Sequence, residues 1–420
     1  MKIFIDSVID PKKLFDTENE KPIGEGGEAE VFKIPGSCLL NPSGDEPLVK
    51  IYDRQKINDE KLTARQDKGM LLVNKYSLFS NDFDTQRNFN ASLFAFPQRN
   101  AMDYDAKTYA GFSMHDLGRW STLEDFMYQD GKITNVMTDY VMSDDEAVEL
   151  FYNITYGIYS LHNRQIILGD LNDKNILYNT DKKLPLFLDI DSAQVESFTC
   201  DAFTPEFLDP LVTRKRLDGA EDKGEGTYEF SKSSDIFALA VNFYKVMIGF
   251  HPAEFRGKNK PGDVGTLTRK KMFLLKLRHD KKFLQQTGIE LLDNNEHEQR
   301  LMQVQKKYPA LYQHFVDVFV NDQRNYFTES LSDSDYRNPD YGDLKNDSVD
   351  FDYEEVTLPT SAPVQTIKNK KIGGFNVKNW LESALKLKLN YLDSMNDSDT
   401  FKSFVNSLGY DYVAIVSGVL

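Results

Sequence analysis

The chain has little cysteine and no cysteine or histidine pattern that binds metals. Its 420 residues include only two cysteines, Cys38 and Cys200, without a CxxC spacing. A disulfide framework and a thiolate metal site are therefore excluded, and a reducing, cytoplasmic location is expected. The six histidines show no HExxH spacing, which excludes that class of zinc enzyme as well.

Long apolar runs are also absent. The most apolar stretch, IFALAVNFYKVMIGF at 236–250, is too short for a membrane span and contains Asn242 and Lys245. Asp6 and Asp10 interrupt the apolar N-terminal stretch, so we expect no signal peptide. The sequence predicts no membrane association.

Positive charge is scarce, with 50 Lys and Arg residues against 66 Asp and Glu and a net charge of −16. Broad nucleic-acid or anionic-membrane surfaces need clustered cations, so neither partner is expected, although a local basic pocket is still allowed. The chain is 40% hydrophobic with 29 Phe and 21 Tyr, which is enough to bury a sizeable core.

The composition changes near residue 331. Residues 331–360 contain nine acidic residues and two basic ones, a net charge of −7. We interpret 331–371 as an acidic linker, a solvated and disordered tether; the alternative is an acidic docking or autoinhibitory segment that competes for a basic pocket. Residues 372–420 regain an amphipathic pattern, which predicts a small helical element that docks on the larger domain or on a partner.

Apolar periodicity predicts the order of elements in the remainder. Strands are expected within 20–52, at 92–97 (SLFAFP) and at 109–114 (YAGFSM), with a helix over 57–77 between them. A helix is expected over 144–162, followed by a strand pair around NILYN and LPLFLDI and by helices over most of 234–330.

A glycine-rich stretch, IGEGGEAEV, lies between two strand-like runs. Gly24, Gly26 and Gly27 would let backbone N–H groups approach phosphate oxygens without a Cβ in the way, although a simple glycine-rich hairpin turn is an equally good interpretation. Lys50 lies nineteen residues after Val31 on the next predicted strand, where it could pair with phosphates or lie on the surface of an edge strand.

The stretch LGDLNDKN at 168–175 combines Asp170 and Asn175. Such a pair can be turn chemistry, or a general base and a metal ligand on one loop. A further acid, Asp191 with Asp189 nearby, follows the apolar run LFL. Asn175 and Asp191 would supply the few hard oxygen ligands that Mg²⁺ prefers beside phosphates.

In this order, these motifs resemble those of the protein-kinase family over roughly 20–330. Gly24-x-Gly26-x-x-Ala29-x-Val31 resembles the glycine-rich loop, Lys50 the strand lysine, LGDLNDKN the catalytic loop and IDSA the end of the metal-binding strand. TPEFLDP at 204–210 resembles the A-P-E segment, and 233–252 resembles the long buried helix. Within the superfamily, the chain looks most similar to a bacterial and phage branch of Ser/Thr-kinase-like proteins.

The resemblance implies an α+β, two-lobed fold, with a small antiparallel β N-lobe, a mostly helical C-lobe and a small C-terminal appendage. The domains would be a lead-in at 1–19, the N-lobe at 20–117, the C-lobe at 118–330, the linker at 331–371 and the helical element at 372–420.

It also implies roles for single residues. The loop of Gly24, Gly26, Gly27, Ala29 and Val31 would cover the phosphates of ATP, which Lys50 would hold. Asp170 would accept the proton of the substrate hydroxyl, and Asn175 and Asp191 would hold Mg²⁺. Met114 would lie at the back of the nucleotide pocket, a role compatible with simple core packing, and His115–Leu117 would form the hinge that offers backbone groups to adenine.

Supporting contacts are implied as well. Asp235 would brace the backbone of the catalytic loop, and Glu206 would pair with Arg324. The carboxylate partner of Lys50 would be either Glu60 or Asp67.

The chain departs from the family in several places. Leu168-Gly169 replace the His-Arg before the catalytic Asp, which predicts activation that is not gated by phosphorylation of the activation loop. Asn172 replaces the lysine that contacts the γ-phosphate, with Lys174 as an alternative, and Ser192-Ala193 replace Phe-Gly.

The leading hypothesis is an ATP- and Mg²⁺-dependent protein kinase that acts on Ser/Thr in a protein substrate. The acidic surface of the chain would attract a basic substrate. The alternatives are a small-molecule phosphotransferase of the antibiotic- or choline-kinase kind and a nucleotide-binding pseudokinase or interaction module. The oligomeric state stays open.

Overall fold

The computed structural model describes residues 1–5, 14–35, 48–79, 94–106, 108–114, 120–200, 202–212, 214–216, 226–292 and 295–327, together with 371–372 and 375–376. The chain divides into two compact units. The first contains Met1–Asp84, Phe96–Asp116 and Asp350–Leu420, and the second contains Thr85–Ala95 and Leu117–Val349.

The first unit is built on a seven-stranded antiparallel sheet with the strand order β2-β1-β6-β7-β5-β4-β3. In the described residues, helix α1 follows β5 and precedes β6 along the chain. The elements are β1 (Lys2–Ile5), β2 (Phe15–Asp16), β3 (Gly24–Glu25), β4 (Ala29–Lys33), β5 (Leu48–Tyr52), α1 (Asp59–Phe79), β6 (Arg99–Asp103) and β7 (Tyr109–Met114).

Alternation along β5 separates the two faces of this sheet. Val49 and Ile51 face a buried core that also contains Phe32 of β4. Lys50 points to the other face and lies opposite Val31 and Phe112 in the strand register. Because side chains alternate between faces along a strand, this register fixes the face on which the Lys50 amine lies.

Helix α1 begins after Asn58, whose side chain accepts a hydrogen bond from the Lys61 N–H (2.8 Å). This is the N-cap arrangement that satisfies one of the first free N–H groups of a helix. The helix packs closely against β7, since a Cβ at Gly69 would lie 2.9 Å from the Tyr109 hydroxyl.

The second unit combines short antiparallel sheets of two or three strands with seven helices in the described residues. Its strands are β8 (Ser121–Thr122), β9 (Phe126–Gln129), β10 (Lys132–Asn135), β11 (Val141–Met142), β12 (Ile166–Ile167), β13 (Ile176–Asn179), β14 (Leu184–Phe187), β15 (Gln194–Val195), β16 (Arg214–Arg216), β17 (Gly226–Tyr228), β18 (Gly257–Lys258) and β19 (Glu290–Leu291). Its helices are α2 (Asp144–His162), α3 (Lys232–Ile248), α4 (Val264–Arg269), α5 (Leu274–His279), α6 (Lys281–Thr287), α7 (Asn295–Lys307) and α8 (Pro309–Phe319).

Helix α3 is the centre of the second unit. Fourteen of its seventeen residues are buried, so it carries no solvent face. A capping box between Ser231 and Ser234 begins the helix, and Gly249 ends it in the left-handed conformation (φ 88°). Both ends are therefore specified by local sequence.

The structure confirms the α+β class, with a curled antiparallel sheet and a largely helical second unit of the kinase-like kind. The expected helix over 144–162 is α2, which begins after the N-cap Ser143. The strand expected at 92–97 is wrong in the described residues, where only Phe94 forms a single bridge, to Phe187. Residues assigned to the lead-in form β1 and β2 of the main sheet.

Two short strands, β20 (Lys371–Ile372) and β21 (Phe375–Asn376), pair with each other. The predictions for the acidic linker and the C-terminal helices otherwise lie outside the described residues. None of the helices in the described part of the chain combines the length and apolar character that a membrane span requires.

Candidate active site

The glycine-rich stretch forms a tight hairpin between β3 and β4. Gly24 pairs with Val31, and the Gly26 N–H donates to the Ala29 carbonyl (2.8 Å), so Gly27 and Glu28 form the tip. A Cβ at Gly27 would meet nothing within 4 Å. Packing therefore does not explain the glycine at this position, which leaves the hairpin tip open to a ligand.

The hairpin is tied to helix α1 by Glu28. Its carboxylate accepts hydrogen bonds from Lys61 and from Arg65 Nη2 (3.2 Å), and Arg65 is only 8% exposed. The Glu28 carbonyl also accepts the Asp53 N–H (2.9 Å). Two cations thus neutralise an acid that would otherwise repel phosphates from the hairpin.

Lys50 is half-buried on β5, with its Nζ 5.9 Å from the centroid of the Phe112 ring. Met114 is buried and lies opposite Leu48, on the same face of the sheet as Lys50. Core packing and a place at the back of a nucleotide pocket are both compatible with this position. The predicted hinge residues His115 and Leu117 lie outside the described residues.

The two candidate partners of Lys50 differ in their environment. Glu60 is exposed in the first turn of α1, whereas Asp67 is half-buried about two turns further on. Burial raises the pKa of Asp67. Both acids stay candidates for the partner of Lys50.

In the second unit, the loop before Asp170 is held by Asp235 of α3. The two carboxylate oxygens of Asp235 accept the N–H groups of Leu168 (2.8 Å) and Gly169 (2.9 Å). This confirms the bracing role expected of Asp235. Because the acid is fully buried, both of its oxygens need these donors.

His162 and Tyr326 complete the support around Asp235. His162 Nε2 lies 2.9 Å from Asp235 Oδ2, and Nδ1 lies 2.6 Å from the Tyr326 hydroxyl. A carboxylate only accepts, so Nε2 carries the hydrogen and Nδ1 accepts from Tyr326 in the neutral ring. Burial, with the nearby Asp235 charge, raises the pKa of Tyr326 and keeps this donor protonated.

Gly169 explains why the arginine of the family motif is absent. Its φ is +73°, and a Cβ at this position would lie 2.7 Å from the Cys200 Sγ. A side chain here would be strained and would overlap a buried residue. The loop in this chain therefore requires glycine where the family has arginine.

Asp170 has one well-defined oxygen and one open oxygen. Its Oδ1 accepts hydrogen bonds from the Thr204 hydroxyl (2.8 Å) and from Asn172 Nδ2 (3.1 Å), and Asn172 Nδ2 also donates to the Thr204 hydroxyl (3.0 Å). Within the described residues, Oδ2 accepts no hydrogen bond. This fixed orientation leaves Oδ2 available to accept a proton.

Asn175 lies on the same loop, and its Nδ2 donates to the Asp170 carbonyl (2.8 Å). That bond orients the amide so that its oxygen is the atom left to bind a cation. Lys174, the alternative to the missing lysine, is exposed and lies 3.4 Å from the Glu124 carboxylate. In this arrangement it does not take the place of Asn172.

The two acids after β14 lie in different environments. Asp189 is exposed and in the left-handed conformation (φ 54°), directly before a 3₁₀ turn at Ile190–Ser192. Asp191 is 5% exposed within that turn. An exposed carboxylate reaches a ligand more readily, so Asp189 joins Asp191 as a candidate metal ligand.

The donor set around this loop fits Mg²⁺ better than a transition metal. Among the described residues, no group of three or more His, Cys, Asp or Glu side chains is arranged to hold a metal ion. One amide oxygen and one or two carboxylates are instead what Mg²⁺ uses when phosphates complete its coordination.

Arg324 has a different partner from the one expected. Instead of Glu206, it binds Asp209 through two hydrogen bonds, from Nε (2.8 Å) and Nη2 (2.9 Å). Both side chains are almost fully buried, so the two-point geometry compensates for desolvation. Glu206 instead contributes its carbonyl, which accepts from His251 Nε2 (3.0 Å).

Three supporting residues were not predicted from the sequence. Thr204 contacts Asp170, His162 contacts Asp235, and Asp209 binds Arg324. Thr204 and Asp209 both lie in the TPEFLDP segment. Their position in this segment, close to the expected Glu206, was the one signal in the sequence that could have pointed to them.

The two units define a protein-kinase-like fold, which comparison with known proteins supports at low identity. No protein-family model matches the chain. The chain is 29% identical over 120 residues to MAP kinase-activated protein kinase 2 from Drosophila melanogaster, an alignment that covers 27% of this chain and 30% of that protein.

Tribbles homolog 1 is similar as well. It is 26% identical over 122 residues in Mus musculus and over 117 residues in Homo sapiens, in each case 26% of this chain and 29% of the relative. The alignments thus span less than a third of each relative's length. They support a kinase-like protein, whereas the bacterial or phage branch stays a prediction.

Proposed function

We propose that this protein is an ATP- and Mg²⁺-dependent protein kinase that transfers the γ-phosphate to Ser/Thr hydroxyls of a protein substrate. The observation that carries the proposal is the environment of Asp170. Thr204 and Asn172 hold its Oδ1, Asp235 holds the backbone before it, and its Oδ2 is left to accept a proton.

In this mechanism, Asp170 orients the substrate hydroxyl and accepts its proton through Oδ2 as the oxygen attacks the γ-phosphorus, while the bond from that phosphorus to the bridging oxygen breaks and ADP leaves. The glycine-rich hairpin and Lys50 bind the phosphates of ATP. Mg²⁺, held by the Asn175 amide oxygen and by Asp191 or Asp189, would neutralise charge on the phosphates. Positioning and charge neutralisation lower the barrier in this reaction class.

One observation favours the pseudokinase alternative. Asn172 is a neutral donor to Asp170 at the position where protein kinases have a lysine, so this position supplies no cation to the transferred phosphate. A kinase with this loop would be slower than its relatives, and a binding module would not transfer phosphate at all. A small-molecule phosphotransferase is the third hypothesis. The cytoplasmic location stays a prediction.

The test is phosphate transfer from labelled ATP by the full chain, with Mg²⁺ and a generic basic protein. We expect labelled Ser/Thr in protein, and about 100-fold less label with Asp170→Ala, because a general base contributes roughly 10²–10⁴-fold. Asp181→Ala, in the exposed turn after β13, is the matched control and should keep full activity.

If the parent chain binds ATP but transfers no phosphate, the kinase proposal is wrong and the pseudokinase hypothesis is supported. Label that appears only on small hydroxylated compounds would replace the protein substrate with a small molecule. Equal transfer by the parent and Asp170→Ala would remove Asp170 from the mechanism.

A further inference from the structure

The second unit carries a strongly basic stretch in an acidic protein. Residues 256–282, here called the basic segment, contain ten Lys and Arg residues against two Asp residues, a net charge of +8 in a chain of net charge −16. The segment begins at β18 and continues through α4 and α5 into the first turn of α6. Such a concentration of one sign creates a local field that attracts anions.

Several cations of the basic segment are exposed and unmatched. Within the described residues, four exposed side chains form no hydrogen bond or ion pair: Arg256, Lys270, Lys281 and Lys282. Other cations of the segment do have partners, such as Lys258 with Glu290 (3.2 Å). The unmatched positive charge is therefore confined to part of this surface.

The chain that follows α8 contacts the basic segment at Asp322. Asp322, which follows α8, lies 2.9 Å from Lys271 Nζ and 3.7 Å from Lys276 Nζ. Two lysines of the basic segment thus already bind an acid of the region that follows α8. Phe327, five residues later, is buried against Phe243 and His314 and fixes the chain at this end.

The acidic segment, residues 331–360, begins four residues after Phe327, a distance of at most about 14 Å in extended chain. It contains nine acidic residues and two basic ones. A short tether gives an attached ligand an effective concentration of about millimolar, so even weak individual ion pairs suffice for occupancy.

We propose that the acidic segment of this chain docks in cis on the basic segment. The occupant is argued from three observations: the opposite net charges of −7 and +8, the Asp322 contacts with two lysines of the basic segment, and the start of the acidic segment only nine residues after Asp322. The inference does not depend on catalytic activity. The proposal also gives a binding site to the acidic segment, whose role the sequence alone does not decide.

Zero-length carbodiimide cross-linking of the full chain tests the contact, because it joins only carboxylates and amines in direct contact. A mixture of ¹⁴N- and ¹⁵N-labelled protein separates links within one chain from links between chains. We expect links within one chain from Asp333–Glu355 to Lys270, Lys281 and Lys282, strongly reduced in 1 M NaCl, where the Debye length is about 3 Å.

A charge swap provides a readout without cross-links. Chymotrypsin cleaves after Tyr336, Tyr341 and Tyr353, and docking should slow this cleavage. The triple variant Lys270→Glu, Lys281→Glu, Lys282→Glu should be cleaved at least about fivefold faster than the parent. The control triple Lys132→Glu, Lys182→Glu, Lys306→Glu, at exposed lysines elsewhere, should not change the rate.

Reversal of Asp333, Asp343 and Asp347 to Lys in the first variant should restore slow cleavage. Links between chains only would assign the basic segment to a second copy instead. No links to these lysines, or equal cleavage in both triple variants, would overturn the proposal.

Discussion

At the scale of single residues, two aspartates share the features of a metal ligand. Asp191 follows an apolar strand in the spacing of the family motif, yet it is buried in its turn. Asp189 is exposed and lies in the left-handed conformation, which Asp adopts more readily than most residues. Because its carboxylate is exposed while that of Asp191 is buried, Asp189 is a candidate ligand as well.

Separate substitutions distinguish the two acids. Asp189→Asn should raise the Mg²⁺ concentration needed for half-maximal ATP binding about tenfold or more, because it removes a charged oxygen ligand. Asp191→Asn should mainly lower the stability of the turn. Titration of Mg²⁺ against ATP binding, with thermal unfolding of each variant, provides both measurements.

The opposite pattern, with the Mg²⁺ requirement raised by Asp191→Asn alone, would return the role to Asp191.

The order and spacing of the motifs predict roles for the candidate catalytic and metal-binding residues, and these roles stay predictions. Lys50, Asp170 and Asn175 each fit one place in an ordered set of motifs, and the structure gives Asp170 and Asn175 contacts suited to such roles. Supporting residues were not predictable in this way. Asp209 replaced Glu206 as the partner of Arg324 because only the three-dimensional path of the chain decides which of two nearby acids reaches the guanidinium.

At the scale of elements, Gly111 fixes the contact between β5 and β7. It lies opposite Ile51, and a Cβ on it would overlap the carbonyl oxygen of Lys50. Because backbone atoms cannot move aside as a flexible side chain can, any larger residue must push the two strands apart. The strand that carries Lys50 depends on this glycine.

Gly111→Ala should therefore destabilise the first unit by about 3 kcal/mol or more, at the upper end of the cost of overpacking. The matched control is Gly27→Ala, where the added Cβ meets open space and stability should change by less than about 0.5 kcal/mol. Denaturant unfolding, monitored by amide hydrogen exchange in β5, measures the stability of both variants. Equal stability of the two variants would contradict the packing argument.

Elements with clear local signals were predicted well, including the strand at 109–114, which is β7, whereas two features that depend on distant pairing were not. Helices α2 and α3 have caps and apolar periodicity in their own sequence. The run SLFAFP looks like a strand, but in the described residues only Phe94 finds a bridging partner, Phe187, far along the chain. Strand β1 joins the sheet through β6, about a hundred residues later, which no local pattern reveals.

At the scale of the whole molecule, buried neutral histidines govern how the second unit responds to acid. Burial lowers the pKa of His251 to about 3 and the pKa values of His297 and His314 to about 4. In the unfolded chain these groups titrate near 6.5. Between about pH 6.5 and 4 the unfolded chain therefore binds protons that the folded unit does not.

The free energy of unfolding of the second unit should consequently fall as the pH drops below about 6.5. Each histidine contributes a slope of up to about 1.4 kcal/mol per pH unit. His314 is the best test, because its Nε2 is buried without a hydrogen-bond partner in the described residues. His314→Leu should reduce the slope between pH 6 and 5 by about one histidine's share, as measured by urea unfolding with amide exchange of α3 and α8. An unchanged slope would show that His314 titrates alike in the folded and unfolded states, and burial would then not govern its protonation.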